Sequence, residues 1–350
     1  MKTLICHGPG KITCEDVPDA TIADQTGAVV KISLCAICGS DLHPYHVDMG
    51  RPAFCIGHEA VGEIAEVGRE VRNFKVGDRV LIPAAQGCGK CRNCLAGHVQ
   101  LCSNSVELRA LGRNTPGIAG AQAEGIAIPM ADFNLYHLPE DISEEVGLML
   151  TDTLSTAWMA ARRTRVAPGD IVAVIGLGAV GLQAVMSALA MGASRVLGID
   201  LLPDRVEHGV KLGAEAVVGP DPVEAVREMT NGHGADVVID ANGGPVTTKL
   251  AIAMAAKGGR IGIVGISELP EIPFPIRDSI LKSLEIHPGI CSAQYEIPTL
   301  ISQVRNGRMS STALDAMFTH TMDLTKGPEA YEFFDKRLDG VLKVALDPSR

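Results

Sequence analysis

Cys88, Cys91, Cys94 and Cys102 stand in a C-x2-C-x2-C-x7-C pattern inside one glycine-rich stretch. Thiolates this close along a chain can surround a tetrahedral Zn²⁺ with little help from the fold. Four of them leave no open coordination position, so this zinc is expected to be structural. Their charge exceeds that of the ion, and Lys90 and Arg92 lie within the loop to offset it.

A second set of donors is dispersed. Cys38-Gly39-Ser40-Asp41-Leu42-His43 is followed by Gly57-His58-Glu59. Cys38 and His58 are good zinc donors, but from spacing alone they compete with an ordinary core cysteine and histidine. A third motif is Gly176-Leu-Gly178-Ala-Val-Gly181, which follows the β-branched run Ile171–Ile175 and opens an apolar helix. Asp200 stands 19 residues after Gly181, at the end of the next strand. G-x-G-x-x-G in that context is a dinucleotide fingerprint. Gly176 permits the tight turn, Gly178 lets backbone approach a pyrophosphate, and Gly181 lets helix and strand pack closely; the helix N-terminus faces the phosphate charge. Asp200 suits the adenosine ribose hydroxyls and would repel a 2′-phosphate, so NAD is expected rather than NADP.

The elements that must hold these groups fit within two domains, for which 350 residues suffice. Aromatics are only 3%, with Trp158 the single tryptophan, so the core must be aliphatic. A net charge of −10 disfavours nucleic acid and anionic membranes as partners. The opening MKTLICHGPG lacks the pattern of a signal peptide, and C-x2-C pairs without one favour metal over disulfides; a cytoplasmic location is expected. The uncharged stretch Ile171 to Ser194 is long enough to cross a membrane, but its four glycines divide it into strand, turn and helix.

The first ~150 residues read as short strands, Ala28–Leu34, Ala60–Val67 and Arg79–Ile82, punctuated by Gly and Pro turns such as Pro116-Gly117. A boundary follows Leu138-Pro139, where Asp141 and Glu144 are expected to box the start of one helix running through Leu148–Ala161. Strands are then expected at Ile171–Ile175, Arg195–Ile199, Ala216–Val218, Asp236–Ile239, Arg260–Val264 and Leu284–Ile286, with helices at Val180–Met191, Asp204–Leu212, Val223–Met229 and Pro245–Ala256. Such alternation implies a doubly wound parallel α/β sheet.

C-G-S-D-L-H, G-H-E-A-V-G, the four-cysteine lobe and V-I-G-L-G-A-V-G occur in the order found in zinc-dependent medium-chain alcohol dehydrogenases, and the chain resembles that family over essentially its whole length. The resemblance implies a GroES-like β-rich catalytic domain from residues 1–154 and 291–350 and a Rossmann domain from 155–290. It makes Cys38 and His58 the first two catalytic zinc ligands. Asp152 is the third, where many members carry Cys and some bacterial secondary alcohol dehydrogenases carry Asp. Glu59 matches a carboxylate that reaches the metal during ligand exchange. Ser40 and His43 match the proton relay. Thr156 and Val180 match positions around the nicotinamide, Arg205 a contact to the adenosine ribose, and Lys343 a basic residue near the pyrophosphate. Cys291 matches a cysteine of the substrate pocket.

The implied reaction is reversible oxidation of a primary or secondary alcohol to an aldehyde or ketone. Hydride passes from a zinc-bound alkoxide to NAD, and the proton leaves through Ser40, the nicotinamide ribose and His43. Two zincs per subunit are expected, and a homo-oligomer, tetramer before dimer, paired near Leu284–Ile290. The loop near Arg109–Pro116 is expected to contribute to selectivity. A polyol or amino-alcohol dehydrogenase would need polar groups where Ile82-Pro83-Ala84-Ala85 is mostly apolar. A non-catalytic relative would have lost its ligands or glycines, and both are intact.

Overall fold

The computed structural model describes residues 1–104, 110–113, 119–269 and 271–350. Half of the stretch 109–116 and the whole Pro116-Gly117 turn therefore lie outside the described residues. The chain forms two compact units. One comprises Met1–Ser155, Cys291–Ile301 and Ser311–Arg350; the other comprises Thr156–Ile290 and Ser302–Ser310.

The first unit is β-rich. Its larger sheet runs Phe318–Asp323, Lys343–Asp347, Ala28–Ala36, Glu59–Val67, Arg79–Ile82, Tyr136–His137, with Gly125–Ile128 also paired to Ala28–Ala36. In Ala28–Ala36 the residues Ala28, Val30 and Ile32 are buried while Lys31 is exposed, the period-two pattern of a strand with one face on the core. That strand pairs antiparallel with Glu59–Val67, and Gly62 stands where a Cβ would lie 2.1 Å from the Lys31 carbonyl oxygen. The C-terminal strand joins the same sheet, with Ala345 opposite Ala36 and Leu346 opposite Cys35. The Ile37 N–H continues this pairing onto the Val344 carbonyl at 3.1 Å. Thus the last strand of the chain lies beside the segment that leads into Cys38.

The second unit carries a six-stranded parallel sheet. Its order is Glu215–Ala216, Arg195–Ile199, Ile171–Ile175, Ala235–Asp240, Ala255–Ile263, Glu285–Pro288. Numbered within the unit this is 3-2-1-4-5-6, the doubly wound order whose ligand crevice opens where strands 1 and 4 diverge. Ala173, Ile175, Leu197, Val238 and Ile261 fill its aliphatic core.

Three local expectations fail. The helix expected through Leu148–Ala161 is two helices, Glu144–Thr151 and Thr153–Arg163, broken at Asp152 (φ −151°, ψ −72°). Hydroxyls take over freed carbonyls at the break: Thr151 Oγ1 donates to Leu148 O and Ser155 Oγ to Leu150 O, each at 2.7 Å. The Ala84 N–H reaches the Thr151 carbonyl at 3.1 Å. The capping box is also absent. Ser143 Oγ accepts from the Val146 N–H at 3.2 Å, while the Glu144 carboxylate is engaged by Ser33 Oγ at 2.8 Å. The expected strand Ala216–Val218 is likewise only Glu215–Ala216, and Val218 is exposed.

Gly181 tests the packing of the second unit. A Cβ there would sit 1.7 Å from the Gly176 carbonyl oxygen. Overpacking at so rigid a contact costs about 1–3 kcal/mol. Gly181→Ala is expected to lower the urea midpoint accordingly, and an unchanged midpoint would contradict the close helix–turn packing.

Candidate active site and metal centres

In the lobe, the sulfurs of Cys88, Cys91, Cys94 and Cys102 all lie within 4.8 Å of one another. Zn–S bonds of ~2.3 Å in a tetrahedron place sulfurs ~3.8 Å apart; Cys88 Sγ and Cys94 Sγ are 4.0 Å apart. The Cys91 N–H faces Cys88 Sγ and the Cys94 N–H faces Cys91 Sγ, both at 3.4 Å. Hydrogen bonds from the backbone of Cys94 and Ser103 pull the Cys91 thiol down to about 5. Burial pushes Cys94 up to about 12. The donor set fits one zinc, and its closed geometry offers no place for a substrate.

The dispersed donors also converge. Ligand atoms of Cys38, His58, Glu59 and Asp152 lie within 4.8 Å of one another. Each comes from an element end. Cys38 follows the strand Ala28–Ala36, His58 and Glu59 open the strand Glu59–Val67, and Asp152 is the break between the two helices. A continuous helix would not give Asp152 this backbone conformation, so the failed helix expectation and the site have one cause. Asp152 Oδ2 lies 3.2 Å from His58 Nε2 and 3.6 Å from Cys38 Sγ. Ser40 Oγ is 3.5 Å from both Cys38 Sγ and His58 Nε2. His43 follows in the short helix Leu42–His46 and is half-buried.

Asp41 is a partner that motif reading missed. Its Oδ1 is 3.0 Å from His58 Nδ1. That approach places the carboxylate on the Nδ1 side of the ring and leaves Nε2, on the side of Cys38 and Asp152, as the metal donor. The signal was present: Asp41 lies inside the Cys38–His43 motif and is buried.

Lys343 has a partner that motif reading missed. The residue expected at the pyrophosphate is 1% exposed, and its Nζ lies 2.5 Å from Glu59 Oε2. The structure pairs this side chain with a fully buried carboxylate of the same unit. Burial pushes the Glu59 carboxyl up, and the Lys343 charge opposes that shift. Glu59 Oε1 is buried without a hydrogen-bond partner among the described residues, beside donors that fit a cation. Burial likewise pushes the Cys38 thiol up. A metal ion supplies the positive charge these donors need, and a set of one sulfur, one imidazole and carboxylate oxygen suits zinc.

In the second unit Gly176 has φ +85°, and a Cβ on Gly178 would meet only Arg205 Nη1, at 3.7 Å. Val180 lies in the first turn of the helix Ala179–Ala190, and Thr156 lies in Thr153–Arg163. Asp200 accepts from the Leu177 N–H at 2.7 Å and the Leu202 N–H at 3.0 Å, with Arg205 Nη1 at 3.9 Å. Asp240 is a second carboxylate that sequence reading passed over. It ends the fourth strand, is fully buried, and accepts from the N–H groups of Asn242 and Gly243 at 3.0 and 2.9 Å. It thereby shapes the turn that faces Gly176 across the crevice. Asp240-Ala-Asn-Gly-Gly at a strand end was its signal.

A GroES-like unit with a zinc-type donor set, joined in one chain to a Rossmann sheet with its glycine turn, defines a class: zinc-type nicotinamide oxidoreductases. Comparison with known proteins agrees. Residues 24–140 match the alcohol dehydrogenase GroES-like domain, and residues 179–306 match the zinc-binding dehydrogenase family. A probable zinc-binding alcohol dehydrogenase of Mycobacterium tuberculosis is 35% identical over 99% of this chain and 89% of its own. The sorbitol dehydrogenase of Bacillus subtilis is 32% identical, covering 100% and 98%. The solved alcohol dehydrogenase TADH from Thermus sp. ATN1 is 34% identical with a TM-score of 0.90, covering 99% of each chain. The chain belongs to the zinc-dependent medium-chain alcohol dehydrogenase family. It is an enzyme, a zinc-dependent alcohol oxidoreductase that uses a nicotinamide cofactor and acts on small molecules. No described helix is long and apolar enough to cross a membrane.

Removing one member of a buried ion pair costs about 3–5 kcal/mol. Lys343→Met is therefore expected to destabilise the protein on that scale in urea unfolding. Unchanged stability with weakened cofactor binding would return Lys343 to the pyrophosphate.

Proposed function

We propose that this enzyme oxidises primary or secondary alcohols reversibly with NAD, and that it holds two zincs per subunit. One observation carries the reading: Cys38, His58, Glu59 and Asp152 converge, and the Ser40 hydroxyl stands 3.5 Å from two of them. Cys38, His58 and Asp152 would hold the catalytic ion, with the Glu59 carboxylate as a fourth donor. Zinc bound there supplies Lewis acidity toward the alcohol oxygen. Ser40 Oγ accepts the hydroxyl proton of the substrate, and His43 delivers it toward solvent. His58 is held by Asp41, and Glu59 by Lys343, so neither donor has to reorganise. Cys88, Cys91, Cys94 and Cys102 brace the lobe with the second zinc.

Gly176, Gly178, Gly181, Val180 and Thr156 would position the cofactor. Asp200 keeps lone pairs beyond its two N–H partners for the ribose hydroxyls, which favours NAD; Arg205 beside it would contact the same ribose. The domain roles follow as residues 1–154 with 291–350 for catalysis and 155–290 for cofactor. None of the ten cysteines is in a disulfide, which fits a reducing, cytoplasmic setting. A homotetramer is inferred over a dimer. The sheet ends at the edge strand Glu285–Pro288, and the preceding helix exposes Ile276, Ile280 and Leu281.

A second reading, polyol oxidation, is favoured by the likeness to sorbitol dehydrogenase. Ala84 and Ala85 beside the site offer no polar side chain to a neighbouring hydroxyl, which favours simple alcohols. A panel of primary, secondary, aromatic and polyol alcohols, followed by reduced-cofactor absorbance, separates the two; a polyol as best substrate would select the alternative.

Ser40→Ala is expected to lower kcat for alcohol oxidation by ~10²–10⁴-fold, the range for a positioned proton-transfer group, while both zincs remain. Full activity in that variant would remove Ser40 from the proton path. Cys38→Ala is expected to lose activity and one of two zincs by metal analysis. A kcat/KM higher with NADP than with NAD would defeat the Asp200 argument.

A further inference from the structure

Between the catalytic donors and the C-terminal helix Gly327–Asp335 runs a hydrogen-bonded chain that catalysis does not use. Asp41 Oδ1 faces His58 Nδ1, and Asp41 Oδ2 accepts from the Cys38 N–H at 3.0 Å and from Gln122 Nε2 at 3.3 Å. The amide of Gln122 also donates to the Ala36 carbonyl at 3.0 Å, and its Oε1 accepts from the Tyr331 hydroxyl at 2.8 Å. Gln122 and Tyr331 are fully buried, and Asp41 is 3% exposed.

The orientation of the amide follows from its partners. A carbonyl and a carboxylate both accept, so the NH₂ group must face Ala36 and Asp41. That leaves Oε1 for Tyr331, whose hydroxyl donates. The backbone of Gln122 is fixed as well, its N–H on Ile56 O at 3.1 Å and its carbonyl on the Leu4 N–H at 2.8 Å. Its side chain also packs on the residue before His58. Gly57 has φ +93°, and a Cβ there would lie 2.3 Å from Gln122 Cγ. One side chain thus touches the carboxylate that holds both Cys38 and His58, and the backbone that leads into His58.

We propose that Gln122, locked in orientation by Tyr331, is a positioning residue for the catalytic metal: it fixes Asp41 in the pose that presents Cys38 Sγ and His58 Nε2, and so sets how fast the ion leaves. This rests on the reading of Cys38, His58 and Asp152 as a zinc set. Neither residue touches a reacting atom. Tyr331 ties the C-terminal helix to the site through one oxygen atom, and Gln122 spends every side-chain hydrogen-bonding group in doing so.

The test measures zinc release from the full-length, zinc-loaded protein into excess chromogenic chelator. The phase absent in Cys38→Ala identifies the catalytic ion; the other phase reports the lobe. Loss of an outer-shell partner typically costs 10–100-fold in metal affinity, so Gln122→Met is expected to release the catalytic zinc about tenfold faster. Tyr331→Phe, one bond further out, is expected to do so about threefold faster on the same scale. Adding Tyr331→Phe to Gln122→Met should change little, because both act through one amide. The lobe phase should not move. Tyr331→Phe removes a single oxygen atom and keeps the test available if Gln122→Met fails to fold. Catalytic release unchanged in both variants, or both phases accelerated alike, would overturn the proposal. A wild-type protein with one zinc, unaffected by Cys38→Ala, would overturn the zinc reading itself.

Discussion

Charge without water is the constraint on which this structure depends. Asp41, His58, Glu59 and Lys343 are all nearly or fully enclosed. Burying ions costs several kcal/mol each unless partners replace the lost solvent. The fold meets that cost by pairing: Asp41 with His58 at 3.0 Å and Lys343 with Glu59 at 2.5 Å. Beside those pairs, Cys38 Sγ and the Asp152 and Glu59 carboxylates gather with His58 around one point. Their own mutual repulsion would argue against the arrangement unless a cation belongs there.

This constraint explains why the first unit is assembled from distant stretches of chain. Lys343 must reach Glu59, and it does so because the strand Lys343–Asp347 pairs beside Cys35 and Ala36. Tyr331 reaches Gln122 from the helix before that strand. The C-terminal segment therefore does more than complete a sheet; it carries the countercharge and a hydrogen-bond donor to groups near residues 38–59. The second unit shows the same economy at lower charge. Asp200 and Asp240 stand at the ends of the two strands on either side of Ile171–Ile175 and hold the turns that flank Gly176.

Much of this was legible beforehand, for local reasons. The cysteine lobe, the glycine turn and the strand–helix alternation depend on residues close in sequence, and spacing alone constrains them. Six parallel strands fall near their expected positions, with ends shifted by a few residues. The helix at 144–163 misled because its apolar period continues through Asp152. The break is set by Thr151 and Ser155 hydroxyls replacing backbone donors, and by the Ala84 N–H claiming a carbonyl. Hydrophobic periodicity carries no record of either.

The sequence by itself determined the two motifs whose ligands are neighbours in the chain, the order of elements and the family. Tertiary structure decided which buried group answers which. Lys343 shows the difference. The family resemblance offers it as a basic residue near the pyrophosphate, and only the strand pairing reveals it as the partner of Glu59. Asp41 and Gln122 are likewise a polar residue each until the fold encloses them with His58 and Tyr331. Local spacing fixes what a short peptide can chelate or cap. The partner of a buried charge is chosen by whichever distant strand completes the core around it.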